Sequence, residues 1–159
     1  MTADRIAIGV VSDTHGLLRP EAIAALRGSD LVLHAGDVGR PEVLDAFGDI
    51  APTVAVRGNV DKGAWAETLP LTEVVEAGGR LLYMLHDVSD LDLDPAAAGF
   101  AAVIFGHSHR PSAERKDGVL YVNPGSAGPR RFSLPVSVAR ISIEGPAFNC
   151  EIITLDIGA

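Results

Sequence analysis

The chain predicts an α/β fold in which two β-sheets pack face to face and helices flank them. Three observations carry this expectation. The N-terminal third alternates short, wholly apolar runs with helix-length segments, the pattern of parallel strands covered on both faces. The remainder holds apolar runs joined by glycine-bearing turns, the pattern of hairpins. The 159 residues include 17 glycines and 10 prolines, which suits many short elements better than a few long helices.

In chain order, Ile6–Val11 reads as a buried strand that delivers Asp13-Thr14-His15 to the loop at its C-terminal end. Pro20 suits the first turn of a helix through Leu26, and Gly28 ends it. Leu31–His34 is a second strand, followed by Ala35-Gly36-Asp37. Pro41 opens a helix through Val43, Leu44 and Phe47, stopped by Gly48. Thr53–Val56 is a third strand, followed by Arg57-Gly58-Asn59. A loop over 60–70 carries Trp65 and Pro70.

The rhythm then becomes antiparallel. Leu71–Glu76 and Arg80–Leu85 flank Ala77-Gly78-Gly79 as a hairpin, with His86 at its end. Asp94 suits the N-cap of a short helical turn at Pro95. Ala101–Phe105 is a further buried strand that runs into Gly106-His107-Ser108-His109. Ala113–Lys116 and Val119–Val122 are joined by Asp117-Gly118, a second hairpin. A loop from Asn123 to Pro135 precedes strands over 136–143 and 147–156, turned at Glu144-Gly145-Pro146. Nothing in this pattern repeats or separates, so residues 1–159 are expected to form a single domain.

Composition narrows the function classes. Apolar residues make up 47% and aromatic ones only 5%, so the core is built of Val, Ile, Leu and Ala. A domain of this length holds a core without disulfides, and the lone Cys150 excludes an internal one. Ile6–Val11 is far too short for a secretory core or a membrane span, which points to a soluble, cytoplasmic protein with no membrane partner. The net charge of −8 argues against a stable nucleic-acid complex held by surface cations. It leaves room for a small phosphate-bearing substrate where bound cations supply the attraction.

Every apolar strand that ends in a polar loop ends in a metal-competent side chain. Asp13 and His15 follow the first strand, Asp37 the second and Asn59 the third. His86 closes the hairpin, and His107 and His109 follow the strand at 101–105. Each stands at or near a glycine, which lets the backbone turn sharply and approach a ligand closely. Carboxylate, amide and imidazole without thiolate suit hard or borderline divalent ions. Seven such groups exceed the needs of one ion and suffice for two if a carboxylate bridges. Two divalent ions against two carboxylates leave a net positive site, open to an anion and able to acidify a water.

These motifs in this order, Asp13-x-His15, Gly36-Asp37, Gly58-Asn59, His86 and Gly106-His107-x-His109, resemble those of the calcineurin-like metallophosphoesterase superfamily. Asn59-Val60-Asp61 and the short length resemble its small bacterial and archaeal phosphodiesterase group. The resemblance runs from residue 6 to about residue 126. It implies a four-layer αββα metallophosphoesterase fold. It also implies that Asp13, His15, Asp37 and His109 hold one ion while Asp37, Asn59, His86 and His107 hold the other, with Asp37 bridging. The implied reaction is hydrolysis of a small phosphoester by a metal-held hydroxide, with Asp37, Asn59 and His107 acting through it. Mn2+ is the leading metal, and Fe, Zn2+, Ni2+ and Co2+ are alternatives.

The chain departs from the family pattern at two positions. Larger members carry, after the Gly-Asn motif, a histidine thought to protonate the leaving group; here that residue is Val60. Asp61 could substitute only with a raised pKa. Asp87 replaces the usual glycine after His86, where it either orients His86 or lies in solvent. Singly, each ligand candidate reads equally well as a turn residue, and only their coincidence at five loops favours metal. His34 is expected as a buried, hydrogen-bonded core histidine, Asn123 and Ser126 as loop caps, Arg130-Arg131 as a solvated pair and Trp65 as packing. The competing function is a non-catalytic metal-binding scaffold resembling the retromer subunit of vacuolar sorting. A dinucleotide-binding protein would need Gly-x-Gly-x-x-Gly after the first strand, which is absent. A homo-oligomer is left open.

Overall fold

The computed structural model describes residues 5–158. Two five-stranded sheets form it. Strands β1 (Arg5–Val11), β2 (Leu31–His34), β3 (Thr53–Ala55), β9 (Ser137–Glu144) and β10 (Ala147–Thr154) make the first, in the order β10-β9-β1-β2-β3. Strands β4 (Thr72–Ala77), β5 (Arg80–Leu85), β6 (Phe100–Ile104), β7 (Ser112–Lys116) and β8 (Val119–Asn123) make the second, in the order β4-β5-β6-β8-β7. β1, β2 and β3 are parallel, joined by helices α1 (Pro20–Leu26) and α2 (Pro41–Gly48), each opened by its proline.

Alternation along the strands sorts side chains into three apolar layers. Ile8, Val10 and Leu33 of the first sheet meet Leu82, Met84, Ile104 and Val122 of the second in the central layer. Val11, Val32 and Val138, on the opposite face of the first sheet, pack under Leu26 of α1 and Phe47 of α2. Tyr83, Leu85, Val103 and Val119 form a thinner layer outside the second sheet. No α-helix covers that face among the described residues. The segment between β5 and β6 lies there, with a 3-10 turn at Val88–Asp90 and a turn from Asp94 to Gly99. Asp94 caps that turn as expected, accepting from the amides of Ala96 and Ala97.

The hairpins follow from their turn residues. Gly78-Gly79 and Asp117-Gly118 all have positive φ, the conformation of two-residue turns that match strand twist. The expected loop at 60–70 contains a 3-10 turn, Ala66–Thr68. Trp65 is partly buried against the helix-side layer, as packing requires. No helix among the described residues is long and apolar enough to cross a membrane.

Candidate metal centre

The loops after β1, β2, β3, β5 and β6 meet at one end of the two sheets. Parallel pairing continues past the ends of β1 and β2: Asp13 N–H donates to Gly36 O, His15 N–H to Asp37 O and Gly16 N–H to Val38 O. Gly106 N–H donates to His86 O, which joins the two loops from the second sheet. Glycine is required where the loops touch. A β-carbon on Gly58 would collide with the amide and carboxylate of Asp37, and one on Gly36 would lie 2.7 Å from His86 Nδ1. One on Gly106 would press into Ser12 and within 2.6 Å of Asp13 Oδ2.

Backbone strain concentrates here. Asp13, His15, Asp37, His107 and His109 all hold left-handed φ, between 47° and 73°. Aspartate and histidine tolerate this region better than most side chains, yet each still costs about 1–3 kcal/mol. Such a run of strained residues persists because the surrounding bonds hold it, and it aims their side chains at one point.

Two groups of three ligand-type atoms result. Asp13, His15 and His109 form one, and Asp13, Asp37 and His86 the other. Asp13 Oδ1 lies 3.8 Å from His15 Nε2, 3.8 Å from His86 Nε2 and 3.3 Å from His109 Nε2. Asp37 Oδ2 lies 3.1 Å from His86 Nε2 and 3.8 Å from His15 Nε2. Asn59 and His107 stand at the exposed edge, with Asn59 Oδ1 3.2 Å from His107 Nδ1, and His107 belongs to neither group. It is Asp13, rather than Asp37, that belongs to both groups.

The donors fit a cation. Asp13 Oδ1 is buried and has no hydrogen-bond partner. His86 Nε2 faces it at 3.8 Å and Asp37 Oδ2 at 3.1 Å, and His109 Nε2 faces it at 3.3 Å. The other atom of each key group is fixed. Asp13 Oδ2 accepts from Ser12 Oγ at 2.6 Å and from His107 N–H at 3.0 Å. Asp37 Oδ1 accepts from Val60 N–H at 3.0 Å. His86 Nδ1 lies 2.8 Å from Ala35 O, which directs Nε2 toward the carboxylates. Burial would raise the Asp37 carboxyl, but contact with His86 and the Val60 amide outweighs it and brings it down to about 2. Burial would lower the His86 imidazole, but Asp37 and Asp13 outweigh it and push it up.

Several supporting residues had no sequence signal. Ser12 Oγ holds Asp13 and Thr14 Oγ1 donates to Val38 O, while Ser126, expected as a loop cap, also donates through Oγ to Asp13 O. Asp61, considered as a proton donor, is buried: Oδ2 accepts from Gly58 and Val38 N–H and Oδ1 from Gly39 N–H. It clamps the Asp37 loop to the Asn59 loop. Asp87 is partly exposed, as one of the two expectations had it, and does not bond His86. Its Oδ1 accepts from Ser89, and its Oδ2 lies 3.6 Å from His107 Nε2 rather than at His86. His34 is fully buried, bonded with Thr14 Oγ1 and accepting from Gly36 N–H, and burial lowers it to about 4. Asn123 and Ser126 do cap and brace the adjoining loops. Arg130 and Arg131 are exposed.

Residues 6–145 match the calcineurin-like phosphoesterase superfamily domain. A probable metallophosphoesterase from Methanothermobacter thermautotrophicus is 34% identical over 158 residues, covering 92% of this chain and 91% of that protein. Two solved structures share the fold at lower identity. An archaeal phosphodiesterase superposes with a TM-score of 0.78 at 24% identity, covering 94% of this chain and 100% of that one. Vacuolar protein sorting 29 from Cryptosporidium parvum superposes with a TM-score of 0.75 at 18% identity, covering 93% and 96%.

Proposed function

The chain belongs to the calcineurin-like phosphoesterase superfamily, and on that premise we propose that it is a phosphodiesterase working with two divalent ions, Mn2+ foremost and Fe, Zn2+, Ni2+ or Co2+ as alternatives. The observation that carries this reading is the convergence of Asp37, His15, His86 and His109 around the buried, partnerless Oδ1 of Asp13. Asp13, His15, Asp37 and His109 would hold one ion; Asp37, Asn59, His86 and His107 would hold the other. When bound, the ions supply positive charge to the phosphoryl oxygens and acidify a water.

The reaction is hydrolysis of one ester bond. The oxygen of water forms the new bond to phosphorus, one ester P–O bond breaks, and the departing alcohol ends with a proton. The chain's own residues decide which esters react. Val60 has no proton to give, and Asp61 has both oxygens engaged by three backbone N–H groups. A leaving alkoxide therefore receives no proton from the Asn59–Asp61 loop, help that is worth about 10²–10⁴-fold elsewhere. Aryl and other activated esters react fastest, simple alkyl phosphates slowest.

Metal-stripped protein assayed on bis(4-nitrophenyl) phosphate tests this. Turnover is expected only after Mn2+ or another of these metals is restored. His107→Ala should lose about 100-fold or more with circular dichroism unchanged. No metal-dependent turnover across roughly pH 6 to 9 would overturn the proposal. The scaffold reading draws on the fold shared with vacuolar protein sorting 29 and on the exposed Leu71, Val74 and Leu81 beside the second sheet. Bound ions with metal-dependent turnover favour the enzyme; bound ions without turnover at any metal favour the scaffold.

A further inference from the structure

A cavity of about 500 Å³ opens beside Asn59, His86 and His107. That volume far exceeds a phosphoryl group and admits a sizeable organic group. His86, whose Nε2 faces Asp37 and Asp13, also lines the cavity, so the cavity adjoins the metal centre.

The walls differ in chemistry. On the side of the β4–β5 hairpin, Leu71, Tyr83 and Leu85 make an apolar wall with one aromatic ring. The segment after β5 supplies Asp87, Asp90 and Asp92. Asp87 is engaged by Ser89 and His107. Asp90 and Asp92 are exposed at the cavity rim and enter no ion pair among the described residues. The lining's guanidinium, Arg57, stands two residues before Asn59, close to where a phosphoryl anion would bind. Three carboxylates against one guanidinium repel a second phosphate. Carboxylates beside an aromatic ring attract an ammonium group.

Resting on the phosphodiesterase reading above, we propose that this cavity is a subsite for an amino-alcohol ester: the preferred substrate is a phosphodiester with one phosphate and an ammonium-bearing organic group. Arg57 and the metal centre face the anion, while Asp90, Asp92 and the apolar wall take the cation and its methylenes.

The test uses a matched pair, 4-nitrophenyl phosphocholine and its 3,3-dimethylbutyl isostere, which differ only in a quaternary nitrogen replaced by carbon. The Mn2+-loaded protein should favour the choline ester at least about fivefold in kcat/KM, and added salt should shrink the preference. The double variant Asp90→Asn/Asp92→Asn should reduce it below about twofold, chiefly by slowing the choline ester. Equal or reversed rates, or a preference that survives in the double variant, would overturn the subsite. Choline and 3,3-dimethylbutanol are titrated in parallel into metal-free protein, following Tyr83 and Leu71 by NMR. Tighter binding of choline supports the subsite even where no ester turns over, and equal binding of the two refutes it. Failure to hydrolyse any diester counts instead against the phosphodiesterase reading.

Discussion

Asp13 Oδ2 is tied down by Ser12 Oγ and His107 N–H, which leaves Oδ1 buried, partnerless and facing three histidines. Asp37 is arranged likewise, with Oδ1 on the Val60 amide and Oδ2 toward His86 and His15. Each carboxylate therefore offers one free oxygen, and Asp37, held at about 2, stays ionised at working pH. The proposed ligand sets make different demands of the two. Asp37→Ala should loosen both ions, whereas Asp13→Ala should weaken one first. Metal titration by calorimetry, with ion content read by mass spectrometry, separates them. Equal loss of both ions in Asp13→Ala would move the bridging role to Asp13, the residue common to both groups in the free protein.

At the scale of elements, the centre depends on how loops from different strands are locked together. Asp61 does this for the loops after β2 and β3 by accepting from Val38, Gly39 and Gly58 N–H. Hydrogen bonds to a charged group contribute about 1.5–3 kcal/mol each, and stranded donors add to the loss. Asp61→Ala should thus cost about 3 kcal/mol or more by urea unfolding and weaken metal binding about tenfold or more. Asp61→Asn, keeping one acceptor, should fall between. Unchanged metal affinity in Asp61→Ala would show that the clamp does not position the ligands. This clamp explains what the sequence conceals. The strands and ligand-bearing loops were legible because apolar runs, prolines and glycines act locally. The roles of Asp61 and Asp87 were not, since each touches residues brought near only by folding: Asp61 meets Val38, and Asp87 meets His107. Nor does residue order reveal that five of the ligand candidates adopt left-handed φ. The sparse cover of the second sheet was hidden too, because residues 86–99 carry helix-compatible signals that end as short turns.

For the molecule as a whole, folding in the absence of metal must hold two buried histidines in opposite states. His34, the last residue of β2, packs edge-on against Phe47 of α2, and burial lowers it from 6.5 to about 4. It is neutral when folded and protonated when unfolded through that interval. The unfolded chain then binds more protons, so this contribution is complete above pH 6.5 and is lost as pH falls toward 4. At about 1.4 kcal/mol per unit the loss reaches at most about 3–4 kcal/mol. His86 is raised, so its contribution is present below 6.5 and disappears as pH climbs through its higher folded value. Asp37 adds a second acid loss, between 3.8 and about 2. Metal-free protein should therefore be most stable near pH 6.5. Its urea midpoint should fall on the acid side first through His34 and then through Asp37. Saturating metal needs a neutral His86, so it should release a proton on binding and shift the optimum upward. Urea unfolding of metal-free His34→Gln should show about one proton less of pH dependence between 4 and 6.5 than the parent. A parent curve flat over that interval would mean that His34 is already protonated within the fold.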